Sequence, residues 1–342
     1  MFRRGVARSS GSVVALALLV LFAESVAAGD DWVYVASSNR YAVIDPSVGE
    51  IMREGVLETS DFRTEGEQTT TIVPTPGGRY VFFHFSDFDR AVVVDAETHQ
   101  VTWSVELPFG TERLQFSSMG NQIFALQRDG RRIQLPHRRG EITGTGSIAP
   151  LLGPESIAFN RRATRIYGNN GNDLVFVLEN GGNAIRTIDL RGGPYEWQVS
   201  ANFRYLLGSS SSGLTLVDEQ RGRAVGYIED GFTPTATLFD ASSREIYALS
   251  ADGREIIVAD TRRFTEQERI VMQTPLSGIW QSSDGRLHGI SRPDSDRVSP
   301  ALVVDLLDVQ ETVSFPPSIL ATDSAIAAAL VTLRPGEGFA CF

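Results

Sequence analysis

Residues 90–107 read RAVVVDAETHQVTWSVEL, two runs of alternating apolar residues joined by the polar turn DAETHQ. Alternation at period two, rich in β-branched side chains and broken by a polar cluster, is the pattern of two antiparallel strands and their turn. Stretches of this shape recur along the chain, and a shorter segment marks each recurrence. WVYVAS, RYVFFH, QIFALQ, RIYGNN, RYLLGS, EIYALS and RLHGIS stack on one another, with third residues Tyr34, Val81, Phe124, Tyr167, Leu206, Tyr247 and His288. Successive markers lie 47, 43, 43, 39, 41 and 41 residues apart. A period of about 40–45 residues with several strands per unit is the signature of a β-propeller blade.

Each unit follows the same order. A run such as TTTIVP, RLQFSS or GIWQSS precedes the marker segment and ends in a turn such as TPGG, SMGN or SDGR. After the marker come a polar loop, an apolar run often ending in aspartate (YAVID, AVVVD, LTLVD, IIVAD, LVVD), a turn and a last strand. That makes four antiparallel strands, and 90–107 supplies the third and fourth strands of one blade. The first unit, from Trp32 to about Leu57, lacks its first strand, and IAAALVTL at 326–333 can supply it. A blade completed from both ends of the chain leaves no open sheet edge. The sequence therefore predicts an all-β, seven-bladed β-propeller of four-stranded antiparallel blades, closed by N-terminal strands plus a C-terminal strand in one blade. Residues 29–342 form one domain of about 45 residues per blade.

Composition narrows the function. The charged fraction is 21%, hydrophobic residues are 42%, and the formal net charge is −11. An acidic surface makes nucleic acid and anionic lipid poor partners, because each needs a concentrated cationic face. All 31 basic residues are arginine, so chemistry needing a lysine amine is excluded. At the N-terminus, Arg3, Arg4 and Arg8 precede the apolar run VVALALLVLF, and small residues follow. A run of about ten residues is too short to span a bilayer core, and the three-part order is that of a secretory signal peptide, 1–28, cleaved after Ala28. The expected home is the periplasm or the extracellular space, with no integral membrane segment left after cleavage. Cys341 is the only cysteine, so no internal disulfide is expected.

The run GIWQSSDGRLHGIS resembles the turn and strand of YVTN-type repeats, and AVVVDAETHQV resembles the strand that follows, with its aspartate and polar turn. Such repeats occur in exported bacterial proteins of the YncE-like group and in the wider lactonase-like and quinoprotein-like propeller superfamily. The resemblance covers residues 29–342 and implies a seven-bladed ring outside the cytoplasm. It carries over no catalytic residue. The third and seventh repeats depart most: Pro136 stands where the aspartate belongs, and RPDSDRVSPALVVD has a lengthened loop.

Catalytic signatures are absent. There is no HExxH, CxxC, P-loop or G-x-S-x-G elbow, and GSSSSG at 208–213 has the composition of a loop between strands. His84 and His288 occupy second strands of the second and seventh repeats, too few ligands for a metal by themselves. Asp87 with Asp89, and Asp294 with Asp296, sit two apart in equivalent loops, where alternate oxygens can hold Ca²⁺ or cap their own turns. In a propeller the loops entering first strands meet the loops after second strands at one rim. The rim candidates are Arg63, His84, Arg113, Glu155, Glu196, Trp197 and Trp280, with Tyr195 beside them. Aromatic faces with arginine and carboxylate suit a small ligand or a partner loop, and Trp197 and Trp280 equally suit packing between blades. The sequence thus points to a monomeric binding propeller of the cell envelope, for a protein partner or a small ligand, with no cofactor predicted. The alternative is a lactonase-like hydrolase or quinoprotein-like oxidoreductase acting at the central channel.

Overall fold

The computed structural model describes residues 30–47, 50–63, 71–75, 77–116, 123–127, 132–135, 137–138, 141–142, 146–148, 157–160, 165–169, 174–179, 184–191, 193, 195–228, 231–282, 285–291, 301–304, 306, 311–314 and 326–333. The signal segment, Glu155, Asp294, Asp296 and Cys341 lie outside them. The fold is an all-β propeller of antiparallel sheets. The described residues form seven four-stranded sheets and one two-stranded hairpin. No described helix is long and apolar enough to cross a membrane.

The first sheet is made from both ends of the chain. Strands Asp30–Ser37, Arg40–Asp45 and Glu50–Val56 are joined by Ile326–Leu333, which pairs with Asp30–Ser37 through eight register positions from Asp30↔Leu333 to Ser37↔Ile326. Further sheets begin at Thr71–Pro74, Thr111–Phe116, Ile157–Phe159, Glu196–Val199, Pro234–Phe239 and Leu276–Gln281, and their strands run in chain order. In the third sheet a small hairpin, His137–Arg138 with Glu141–Ile142, is inserted between the third and fourth strands.

Burial explains why the middle strands carry such continuous apolar runs. Tyr205–Ser210 and Gly213–Asp218 are walled by neighbouring sheets on both faces, so both parities of side chain are covered. Tyr205 and Leu207 pack toward the sixth sheet, and Leu206 toward the fourth. Outer strands such as Glu266–Val271 face solvent and are mostly exposed. Apolar clusters of this kind join the first sheet to the second, the second to the third, and the fourth to the fifth, the fifth to the sixth and the sixth to the seventh. Between the third and fourth sheets, Phe124 stacks on Phe159 with centroids 4.5 Å apart. Each fully buried Leu, Ile, Val or Phe contributes about 1.5–3 kcal/mol of transfer free energy.

The aspartate that ends third strands caps the following turn. Asp95 Oδ1 accepts the amides of Glu97 (2.8 Å) and Thr98 (3.2 Å), while Oδ2 accepts Arg79 Nη2 at 2.8 Å. Asp260 accepts the amides of Arg262 and Arg263, and Asp218 that of Arg221. In this way a short side chain satisfies turn amides that the ladder leaves unpaired.

Two glycines in the left-handed region test the packing between sheets. Gly253 has φ +75°, and a Cβ there would fall 2.1 Å from Leu276 O; Gly110 has φ +78° and nothing within 4 Å. Gly110→Ala should cost about 1 kcal/mol, the intrinsic penalty of that backbone region, and Gly253→Ala at least about 2 kcal/mol more. Denaturant unfolding of both variants measures the difference, and equal costs would contradict the packing described.

Candidate functional site

The rim candidates fall into three groups. Trp197 and Tyr195 are buried between the fourth and fifth sheets, with ring centroids 5.3 Å apart. Trp197 Nε1 donates to Asn169 Oδ1 at 2.8 Å, and Asn169 Nδ2 donates to Tyr195 O at 2.7 Å. The tryptophan therefore packs between blades and fixes the loop entering the fifth sheet. Arg63, Arg113 and Glu196 are exposed, and Trp280 is half-buried opposite His288 in the ladder.

His84 is fully buried beside Asp89 and the third sheet. Neither ring nitrogen has a partner within full hydrogen-bond geometry among the described residues, and burial pushes its pKa down to about 4, with the nearby Asp89 carboxylate and the Thr111 backbone offsetting only part of that. His288 is equally buried and meets Ser282 Oγ through Nε2 at 2.9 Å. The two histidines do not converge. His84 sits near the end of its strand that leads to the third one, whereas His288 sits near the start of its own, and His84 faces the third sheet with Phe82.

Asp87 is exposed in the 3₁₀ turn Ser86–Phe88. Asp89, at φ 47°, turns its Oδ1 onto the amides of Gly110 (2.8 Å) and Thr111 (3.0 Å), tying the second sheet to the loop entering the third. The described residues contain no group of three metal-ligating side chains.

A cleft of about 490 Å³ lies on the fifth sheet. Three connections build it: the loop entering that sheet (Arg191, Tyr195), the turn after its second strand (Ser210–Gly213) and the loop leading to the next sheet (Gly231, Thr233). Leu214 and Tyr227 line its wall. Ser210 Oγ and Ser212 Oγ are 2.9 Å apart, and Thr233 Oγ1 donates to Ser211 O at 3.1 Å, so the turn is pinned to its neighbour. The Arg191 guanidinium lies 5.9 Å from the Tyr227 ring centroid.

Of the sequence candidates only Tyr195 lines this cleft. The serine run is its floor; of GSSSSG, expected to be a loop, only Ser211 and Ser212 form the turn, with Gly208–Ser210 ending the second strand and Gly213 beginning the third, and the sequence did not show that two further loops close over it.

At the junction of the first and second sheets, His99 occupies the DAETHQ turn with φ 54°. Its Nδ1 accepts the Tyr34 hydroxyl at 2.8 Å, its carbonyl accepts the Tyr41 hydroxyl at 2.8 Å, and Trp32 packs edge-on to its ring. Burial, aided by Arg53, lowers the His99 pKa, and Asp95 opposes the shift.

No family model matches the chain. Over 103 residues, 29% of its length, it is 31% identical to Protein NirF of Pseudomonas aeruginosa, and the match spans 25% of that protein. Among solved structures it is similar to Dihydro-heme d1 dehydrogenase NirN in complex with DHE, at a TM-score of 0.58 and 16% identity, over 80% of this chain and 61% of that one. It is also similar to hydrazine synthase of Kuenenia stuttgartiensis, at 0.56 and 14%, over 73% and 80% of the two chains. A functionally unknown protein from Desulfotomaculum acetoxidans gives 0.62 and 11%, over 82% and 95%. The chain thus spans a quarter of NirF and under two thirds of NirN in these matches. The structural likenesses show the propeller fold.

Both depressed histidines set a pH dependence. A histidine whose folded pKa lies below its unfolded value of 6.5 leaves the protein fully stable above about 6.5, and stability falls as pH drops from there toward the folded value. For His84 the window runs from 6.5 to about 4 and amounts to about 3 kcal/mol. His84→Leu should flatten that limb of the stability-versus-pH curve. An acid limb of unchanged slope in the variant would contradict the assignment. Asn169→Ala, which removes the bonds to the Trp197 indole N–H and the Tyr195 carbonyl, should cost about 2–3 kcal/mol in denaturant unfolding, and a cost under about 0.5 kcal/mol would contradict the role given to it.

Proposed function

We propose that the chain is an exported, seven-bladed propeller of the YVTN-repeat class, residues 29–342 forming one ring after removal of 1–28, and that it binds a small planar ligand at its loop face. The cleft over the fifth sheet carries this reading, because it combines a guanidinium, serine hydroxyls and tyrosine rings in a concave site of ligand size. The comparisons supply a ligand class to test. The NirN structure holds DHE and that protein is named for dihydro-heme d1, so a tetrapyrrole is the first candidate. Guanidinium and hydroxyl groups suit the carboxylate substituents of such a molecule. No histidine lines the cleft among the described residues, so no axial ligand for a tetrapyrrole metal is assigned there. Calcium at Asp87 and Asp89 has less support, since Asp89 Oδ1 already accepts two amides.

A second reading, docking of a protein partner in the cell envelope, is favoured by Phe109. Its side chain is 91% exposed, yet its loop is held by Gln127 Nε2 on Phe109 O at 2.6 Å and by Asp89 on the next two amides. A rigidly presented aromatic is the kind of side chain that anchors an interface.

Titrating the purified chain with metal-free mesoporphyrin should give saturable absorbance and tyrosine-fluorescence changes at one per chain. Absence of saturation, together with a stoichiometric protein recovered only by chains that keep Phe109 and not by Phe109→Ser, would overturn the ligand reading in favour of docking.

A further inference from the structure

Several arginines of this acidic protein are paired with carboxylates. Arg79 pairs with Asp95, Arg165 with Glu219, Arg204 with Asp218, and Arg269 with Glu255 and Glu266. Arg191 differs: it makes no ion pair or hydrogen bond among the described residues, it is exposed, and it lines the cleft over the fifth sheet. Its one described contact is the Tyr227 ring. An aromatic face beneath a guanidinium holds its plane while leaving the N–H edge free, the arrangement that receives a carboxylate through two parallel hydrogen bonds. In a chain of net charge −11, a cation at a concave site with no ion pair among the described residues is also a local attractor for an anion.

The rest of the cleft matches an anion with an apolar body. Ser210 and Ser212 place hydroxyls on the floor, and the Ser211 carbonyl is tied to Thr233, which keeps the turn from collapsing inward. Tyr195, Tyr227 and Leu214 form the apolar side. Tyr195 is itself immobilised by packing on Trp197 and by the Asn169 bond to its carbonyl.

We propose that this cleft is the site of a planar organic carboxylate, with the carboxylate on Arg191 and the serine floor and the apolar body against Tyr195, Tyr227 and Leu214. The proposal rests on the ligand-binding reading above and adds which side chain takes the charge and which side chains take the apolar body.

The test uses 2-naphthoate, its uncharged amide 2-naphthamide, and mesoporphyrin, each titrated calorimetrically into the wild-type chain, Arg191→Gln and Arg191→Lys. Wild type should bind the naphthoate at least tenfold more tightly than the amide. Arg191→Gln should lose about tenfold or more for the acid and little for the amide, the size expected for one charge-assisted pair, with Arg191→Lys in between. Thermal melts should match wild type, because Arg191 is exposed. Naphthoate binding that is absent, or equal in wild type and Arg191→Gln, overturns the proposal. Mesoporphyrin separates the two readings. Its binding at unchanged affinity in Arg191→Gln would retain a tetrapyrrole ligand and reject this cleft, whereas Arg191-dependent naphthoate binding without mesoporphyrin binding would retain the cleft and reject the tetrapyrrole.

Discussion

The pairing of Ile326–Leu333 with Asp30–Ser37 is the constraint on which the rest depends. Each sheet in this architecture buries its apolar faces only against neighbouring sheets, so one missing strand would expose two faces at once. Bringing the last strand of the chain beside the first removes that edge and places the most non-local contact of the fold in the ladder of one sheet. The adjoining junction is reinforced from outside the ladder. Tyr34 and Tyr41 of the first sheet both bond to His99 of the second, and Phe83 packs against both tyrosine rings. A turn in the second sheet thus holds the sheet that joins the two ends.

That architecture also accounts for where a ligand site can form. Middle strands are enclosed on both faces, and some of the polar residues buried there position loops, as Asn169 and Gln127 show. Connections between strands are freer to vary than the middle strands. The cleft over the fifth sheet is assembled from three of them: Asn169 holds the first through the Tyr195 carbonyl, and Thr233 ties the other two together. Such anchoring is what lets short loops present a site without reorganising when it is filled.

Much of the architecture was legible in the sequence because it is written in periodicity. The marker segments fall on second strands, the aspartates ending third strands cap the turns that follow, and IAAALVTL supplies the strand that the first unit lacks. Pro136 marked the departure in the third unit but not the hairpin inserted there, because nothing in PHRRGEI distinguishes a short insertion from a long turn. The site was less legible. Trp197 has the composition of a rim aromatic, and only the placement of Asn169, 28 residues earlier, shows that its indole is spent between sheets. Arg191, Tyr227 and the serine run come together only after the fifth sheet folds, and no spacing between them encodes a motif. One usable signal was present: the last residue of every marker segment is polar, Ser37, His84, Gln127, Asn170, Ser209, Ser250 and Ser291. It points to the end of the second strand in each unit, and in the fifth unit that position adjoins the cleft.

Native mass spectrometry of the chain recovered gently from its own host tests the proposed small ligand on the loop face most directly. The expected species is heavier than the bare chain by one organic molecule, released on acidification and containing at least one carboxylate. A chain at its bare mass, unchanged after incubation with mesoporphyrin or 2-naphthoate, would contradict it.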